Sequence, residues 1–176
     1  MKTGPRKPLC SDCPCSLYYE DPIPKRQFNV MMRMGEHYCI GGKQAKRFKK
    51  SDPKIYIPSW CPKRKNPCEL RVYGFKTEED KLMHMLLCYS VGQAISPSES
   101  RYTLEHSSHT KLSPSAFWKQ CDLEPVENLI PVKVGLYQVL EIDDGLQPAF
   151  FYQTEQGLQY LSSFKSDAIR KNRKGD

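Results

Sequence analysis

Leu9-Cys10-Ser11-Asp12-Cys13-Pro14-Cys15-Ser16, answered further on by Trp60-Cys61-Pro62-Lys63-Arg64-Lys65-Asn66-Pro67-Cys68, is the part of this chain whose reading decides its fold. With Cys39 between them, these stretches place six of the eight cysteines in the first 68 residues. Prolines are frequent here and sustained apolar periodicity is absent, so loops and short strands are expected, with too few apolar side chains for a conventional core. Thiols in short spacings, returning after a basic stretch, are how such a segment is held by a metal.

Zinc takes four thiolate or imidazole ligands in a tetrahedron. Cys10-x2-Cys13 is a standard ligand loop, and Cys61-x6-Cys68 is a longer one that Pro62 and Pro67 tighten. Cys15 and Cys39 add to the supply, giving Cys10, Cys13, Cys15, Cys39, Cys61 and Cys68 as candidate ligands, with His37 read as a partly exposed side chain in a turn or as a spare ligand. Two metals with bridging thiolates, one metal with spectator cysteines, and an iron-sulfur cluster all stay open. Structural zinc is favoured, because standard cluster spacings are missing.

Charge divides the chain. Residues 1–76 carry 17 Lys and Arg against 6 Asp and Glu, residues 77–163 carry 5 against 12, and residues 164–176 carry 5 against 2. This predicts a basic cysteine-rich metal-binding module, an acidic helix-plus-sheet domain and a flexible basic tail, in that order. Local potential governs encounter with polyanions, so the basic end points to nucleic acid or a nucleoprotein. The charged start has no apolar signal region, and no apolar run approaches the roughly 18 residues of a membrane span. The expectation is a soluble protein of the bacterial cytoplasm, where clustered thiols serve as metal ligands rather than disulfides.

Beyond the cysteines, Lys54 to Trp60 and Leu70 to Tyr73 alternate as short strands. Thr77 is an N-cap, Glu78, Glu79 and Asp80 suit the first turn of a helix, and Leu82, Met83, Leu86 and Leu87 recur at helical spacing. This predicts a helix over residues 77–91 that packs on a sheet, with Cys88 as a small buried hydrophobe and His84 as packing or surface. Cys121, after a short helix at 116–120, receives the same reading as Cys88. Residues 96–115 read as an exposed connection. Strands are expected within 132–142, 148–154 and 159–161, with Asp143-Asp144-Gly145 as turn chemistry rather than a carboxylate pair for catalysis. The fold class is α+β, a metal-stapled loop-rich module followed by a helix on a small antiparallel sheet.

Lys43, Lys46, Arg47, Lys49, Lys50, Lys54, Lys63, Arg64 and Lys65 lie close in sequence to Phe48, Tyr56 and Trp60. Cations suit phosphates and aromatic faces suit bases, so these cations and Trp60 are the candidate nucleic-acid contacts; Phe48 and Trp60 in a small core under a solvated basic face is the alternative. The chain has no nucleophile elbow, phosphate loop, zinc-protease motif or dinucleotide fingerprint, which favours binding over catalysis. An iron-sulfur or redox enzyme is the competing class.

The Leu9–Ser16 motif, Gly35-Glu36-His37-Tyr38-Cys39, the run from Ser51 to Arg64, and Pro67 to Tyr73 together resemble small cysteine-rich proteins of Firmicutes phages and mobile elements. Some proteins of that kind are type II anti-CRISPR inhibitors of Cas9. The resemblance covers about the first 75 residues and implies obstruction of target DNA recognition, with the six cysteines as scaffold and the segment from Lys43 to Lys65 as contact surface. A zinc-stabilised DNA- or RNA-binding protein of phage transcription, replication or recombination is the broader reading.

Overall fold

The computed structural model describes residues 4–5, 9–49, 52, 57–58 and 60–172. The chain forms two compact units, residues 6–64 and residues 65–176 together with 1–5. Among the described residues the secondary structure is mixed, with four α-helices and antiparallel sheets, an α+β organisation. The division between the units at Arg64 and Lys65 precedes the change of charge sign at residues 76 and 77. Among the described residues, no helix is long and apolar enough to cross a membrane.

In residues 6–64, β1 (Ser16–Tyr19), β4 (Glu36–Cys39) and β5 (Lys46–Arg47) form an antiparallel sheet in the order β1-β4-β5. A hairpin joins β2 (Lys25–Gln27) to β3 (Val30–Met32). Its two-residue turn, Phe28 and Asn29, has both φ values positive, the conformation that matches the twist of tight hairpins. One face of the β1-β4-β5 sheet supplies the core: Tyr19 and Tyr38 with Met32 and Ala45, packed by Leu17, Val30 and Ile40. Among the described residues this cluster has four buried side chains, a small core, and small domains with little core need a metal, a disulfide or a partner.

In residues 65–176 the sheet order is β10-β9-β8-β6-β7, antiparallel throughout. The strands are β6 (Cys68–Phe75), β7 (Tyr102–Thr110), β8 (Val139–Asp143), β9 (Ala149–Thr154) and β10 (Gly157–Leu161). Successive strand residues point to opposite faces, and here both faces are covered. Leu70, Val72, Leu140, Ile142 and Phe151 pack with Phe117 of α2 (Pro114–Gln120) and with Ile130 and Val132 beyond α3 (Val126–Leu129). On the other face Tyr73, Val139, Phe150 and Tyr152 pack with Cys88 of α1 (Glu78–Val91) and Ile169 of α4 (Ser166–Asn172).

Of the strands expected within 132–142, 148–154 and 159–161, the first is confined to Val139–Asp143, so the alternating Val132, Val134 and Leu136 lie outside it, while Ala149–Thr154 and Gly157–Leu161 form the other two. Asp143-Asp144-Gly145 is a turn in which the two carboxylates accept the backbone N–H groups of Gly145 and Leu146. Thr77 caps α1 by accepting the Asp80 N–H at 3.0 Å, and Gly92 ends it at φ 72°, a left-handed conformation that glycine adopts without strain.

Three expectations require correction. Residues 96–115 are not a loop: 102–110 form β7, whose polar side chains hide a strand paired along β6. The tail from residue 164 is part of the folded unit as far as residue 172, because Phe164 and Ile169 are buried and Arg170 reaches buried Glu141 at 2.7 Å. The apolar residues of α1 do not face the sheet. The helix sits on it through His84 and Cys88, while Leu82, Met83, Leu86 and Leu87 are exposed. The strand expected over Lys54 to Trp60 falls largely outside the described residues.

His84 is buried, with Nε2 2.6 Å from the Tyr152 hydroxyl. Burial, aided by the Arg101 charge, lowers its pKa. An unfolded histidine titrates near 6.5 and takes up a proton that folded His84 refuses, so stability is complete above about pH 6.5 and declines as pH falls below it. Thermal melts of the wild type are expected to shift down between about pH 6.5 and 5, by at most about 1.4 kcal/mol per pH unit. His84→Gln is expected to flatten that part of the profile.

Candidate metal centre and aromatic face

Five of the cysteines belong to residues 6–64, and local turns present them. Cys10 opens a short 3-10 turn in which the Cys13 N–H donates to the Cys10 carbonyl at 3.1 Å. Cys39 ends β4, and Cys61 sits between two turns, its N–H donating to Pro58 O and its carbonyl accepting the Arg64 N–H. The Gly41 backbone donates to the Cys39 sulfur, and a Cβ at Gly41 would lie 3.2 Å from Cys15 Sγ and 3.7 Å from Cys39 Sγ. Glycine at 41 therefore leaves room for two sulfurs.

The thiols influence one another electrostatically. Burial, and then the neighbouring Cys61, Cys13 and Cys39, raise the pKa of Cys10. Cys39 is raised mainly by burial, against the Gly41 N–H, with added repulsion from Cys61, Cys15 and Cys13. The Lys63 ammonium lies 3.7 Å from Cys13 Sγ, and the charges of Cys13 and Cys15 raise its own pKa. Gathered thiols that repel one another once ionised are stabilised by a cation among them. Among the described residues, no group of three or more Cys, His, Asp or Glu side chains is placed so as to hold a metal ion.

Cys68 has a different setting. It begins β6, is 5 % exposed within the apolar core of residues 65–176, and its thiol donates to the Lys65 carbonyl at 3.7 Å. Cys88 is likewise buried, as expected, and Cys121 is half-buried against the same core as Cys68.

The outer face of the β1-β4-β5 sheet is set by register. Tyr18 lies opposite His37, Cys39 opposite Lys46, and the Phe48 N–H donates to the His37 carbonyl. Alternation then puts Tyr18, His37, Cys39, Lys46 and Phe48 on the face away from Tyr38. Tyr18 and His37 rings are 4.6 Å apart, Phe48 meets Trp60 edge-on at 5.1 Å, and Lys46 Nζ stands 4.4 Å above the Trp60 ring. A row of rings, Tyr18, His37, Phe48 and Trp60, thus crosses the sheet, with Cys39 on the same face. Tyr18 and His37 were not among the sequence-read contacts. Their signal is the alternation of Ser16-Leu17-Tyr18-Tyr19 against Glu36-His37-Tyr38-Cys39, visible only once the two segments are paired.

Several of the expected contact cations already have partners. Arg47 pairs with Glu36 at 2.7 Å, Arg64 donates to the Ile57 carbonyl at 3.0 Å, and Lys63 faces sulfur. Lys65 belongs to the other unit, bridging Glu69 and Asp143 at 2.8 Å each. Lys43, Lys46 and Lys49 are exposed, while Lys50 and Lys54 lie outside the described residues.

Comparison with protein-family models, with curated proteins and with solved structures finds no match for this chain.

Proposed function

We propose that residues 6–64 form a zinc-held module that binds single-stranded nucleic acid on its aromatic sheet face, without catalysis. The observation that carries this reading is the ring row Tyr18, His37, Phe48 and Trp60 beside Lys46. Aromatic faces accept stacked bases of any sequence, and cations alongside them follow the phosphates. The unit's sequence carries 13 Lys and Arg against 5 Asp and Glu, which adds long-range attraction.

Cys10, Cys13, Cys15, Cys39 and Cys61 are the pool from which the four ligands come, because Cys10 responds to Cys61, Cys13 and Cys39, and Cys39 responds to Cys61, Cys15 and Cys13. Cys15 is the fifth thiol, beside Lys63. Zinc in this setting supplies structure: it ties the turns at Cys10 and Cys61 to the end of β4, the strand that carries His37. Cys68 is left out of the set because its place is the apolar core of the second unit.

Fluorescence anisotropy of a labelled 20-mer single strand, DNA and RNA in parallel, tests the reading. Tyr18 is 48 % exposed, so Tyr18→Ala removes a stacking surface with little effect on the core. The expected loss is about 1–3 kcal/mol, roughly 5- to 150-fold in affinity. Affinity is also expected to fall steeply with salt. Unchanged affinity in Tyr18→Ala, or no salt dependence, contradicts the proposal. The narrower reading from the resemblance, obstruction of a Cas9-type nucleoprotein, adds a partner to this surface; it predicts reduced target cleavage after preincubation with the protein.

A further inference from the structure

Tyr137 stands at φ 62°, a left-handed backbone conformation that a bulky side chain rarely adopts and that the surrounding structure must hold. Three hydrogen bonds hold it here. Its N–H donates to the Gln153 carbonyl at 2.7 Å, its carbonyl accepts the Tyr102 hydroxyl at 2.7 Å, and its own hydroxyl donates to Glu155 at 3.2 Å. The ring, edge-on to His84 at 5.2 Å, is thereby fixed as one wall of a hollow of about 360 Å³. Residues held in such conformations cluster at ligand clamps.

The hollow is electrostatically one-sided. Glu155 is the charged residue of its wall, Met85, Tyr89 and Tyr137 supply a thioether and two phenol rings, and among the described residues no lysine, arginine or histidine lines it. Among the described residues Glu155 makes no ion pair, and its Oε1 accepts the Tyr137 hydroxyl. Cys88 and Tyr89, in the last turn of α1, and its cap Gly92 also line the hollow. The last carbonyls of a helix lack amide partners and form the negative end of its dipole. The Gly92 N–H takes up the Tyr89 carbonyl at 3.2 Å, and the last turn holds no basic residue to offset the rest. Carboxylate, helix end and ring faces thus all favour positive charge at one place.

We propose that this hollow binds a small organic cation, an alkylammonium whose N–H groups donate to the Glu155 carboxylate and whose stem lies against Tyr89, Tyr137 and Met85. The volume lies in the range of small-ligand sites, roughly 300–1,000 Å³. An anion would meet the carboxylate and the helix end with the wrong sign. A free amine and the lysine side chain of a peptide carry the same ammonium chemistry.

Titration of the isotope-labelled full chain with hexylammonium, followed by amide chemical shifts, reads the site directly. Saturable shifts are expected at Tyr89, Gly92, Glu155 and Gln156, with a Kd of about 1 mM for a ligand of so few atoms. Hexanol, equal in shape and uncharged, is expected to bind about tenfold more weakly or worse. Glu155→Gln keeps an acceptor for the Tyr137 hydroxyl and removes the charge; it is expected to weaken hexylammonium binding about tenfold or more, the worth of a charge-assisted hydrogen bond. Acetyl-lysine amide with a free ε-ammonium, titrated in parallel, separates the two sources. Tighter binding than hexylammonium supports the site as one for a peptide lysine, and weaker binding supports it as one for a free amine. Equal binding of amine and alcohol overturns the proposal, as does undiminished amine binding in Glu155→Gln. Absence of shifts at these amides up to about 20 mM amine, well above the expected Kd, overturns it too. The alcohol comparison uses the wild type, so it decides even where the variant fails to fold.

Discussion

Cys61→Ser is expected to release zinc and unfold residues 6–64 while leaving the melting of residues 65–176 in place. The core cluster among the described residues of the first unit is Tyr19, Met32, Tyr38 and Ala45 with partly buried neighbours, a small core to set against the conformational entropy of the chain. Structural zinc contributes its binding free energy directly to folding, about 10–16 kcal/mol in zinc-finger peptides, so losing one of four thiolates should cost several kcal/mol. Cys68→Ser is the control. Its thiol packs with Leu70 and Val72 in the core of the second unit, so it should weaken that unit and leave the zinc stoichiometry unchanged. Metal analysis and two-stage melts check both. Equal zinc content in Cys61→Ser and wild type would refute the ligand assignment.

Glu141→Ala is expected to weaken residues 65–176 markedly, by about 1–3 kcal/mol. Glu141 is fully buried in β8; its Oε1 accepts Arg71 Nη1 and Arg170 Nη1, each at 2.7 Å, and its Oε2 accepts the Tyr73 hydroxyl. The Tyr73 pKa is accordingly pushed up, first by burial and then by this carboxylate. Removing Glu141 leaves Arg170 with Asp167 at the surface and Arg71 with Glu69 and Asp143, while the Tyr73 hydroxyl loses its acceptor in the sheet interior. Arg170→Ala should cost less, because Arg71 still neutralises Glu141. Urea titrations followed by Trp118, which stacks 5.5 Å from Phe151 in the core, measure both differences. A loss below about 1 kcal/mol for Glu141→Ala would mean that the buried pair is not held as described.

The ends of the chain's elements were easier to read than its tertiary arrangement. Thr77, Gly92 and Asp143-Asp144-Gly145 act through bonds a few residues long, so their roles follow from local chemistry. Cysteine spacing singled out the segment around Cys10, Cys13, Cys39 and Cys61, but it could not separate Cys68, whose surroundings depend on β6 pairing with strands more than thirty residues away. Helical periodicity identified α1 and assigned its apolar stripe to the wrong side, because periodicity gives the face and not what lies against it. A histidine and a cysteine hold this helix to its sheet instead. β7 escaped notice because His106, Ser107, Ser108 and His109 carry no apolar alternation; the ladder to β6 makes them a strand. Likewise the cation run from Lys43 to Lys65 looked uniform in sequence, whereas Arg47 and Lys65 are in ion pairs and Lys63 faces thiols.

The most direct test combines metal and ligand in one titration: anisotropy of a 20-mer single strand with the wild-type chain as purified, and again after zinc is removed by chelation with thiol protection. The predicted result is salt-sensitive binding by the zinc-loaded protein, lost on metal removal and restored by one equivalent of zinc per chain. Absence of binding at low salt, or equal binding with and without metal, would contradict it.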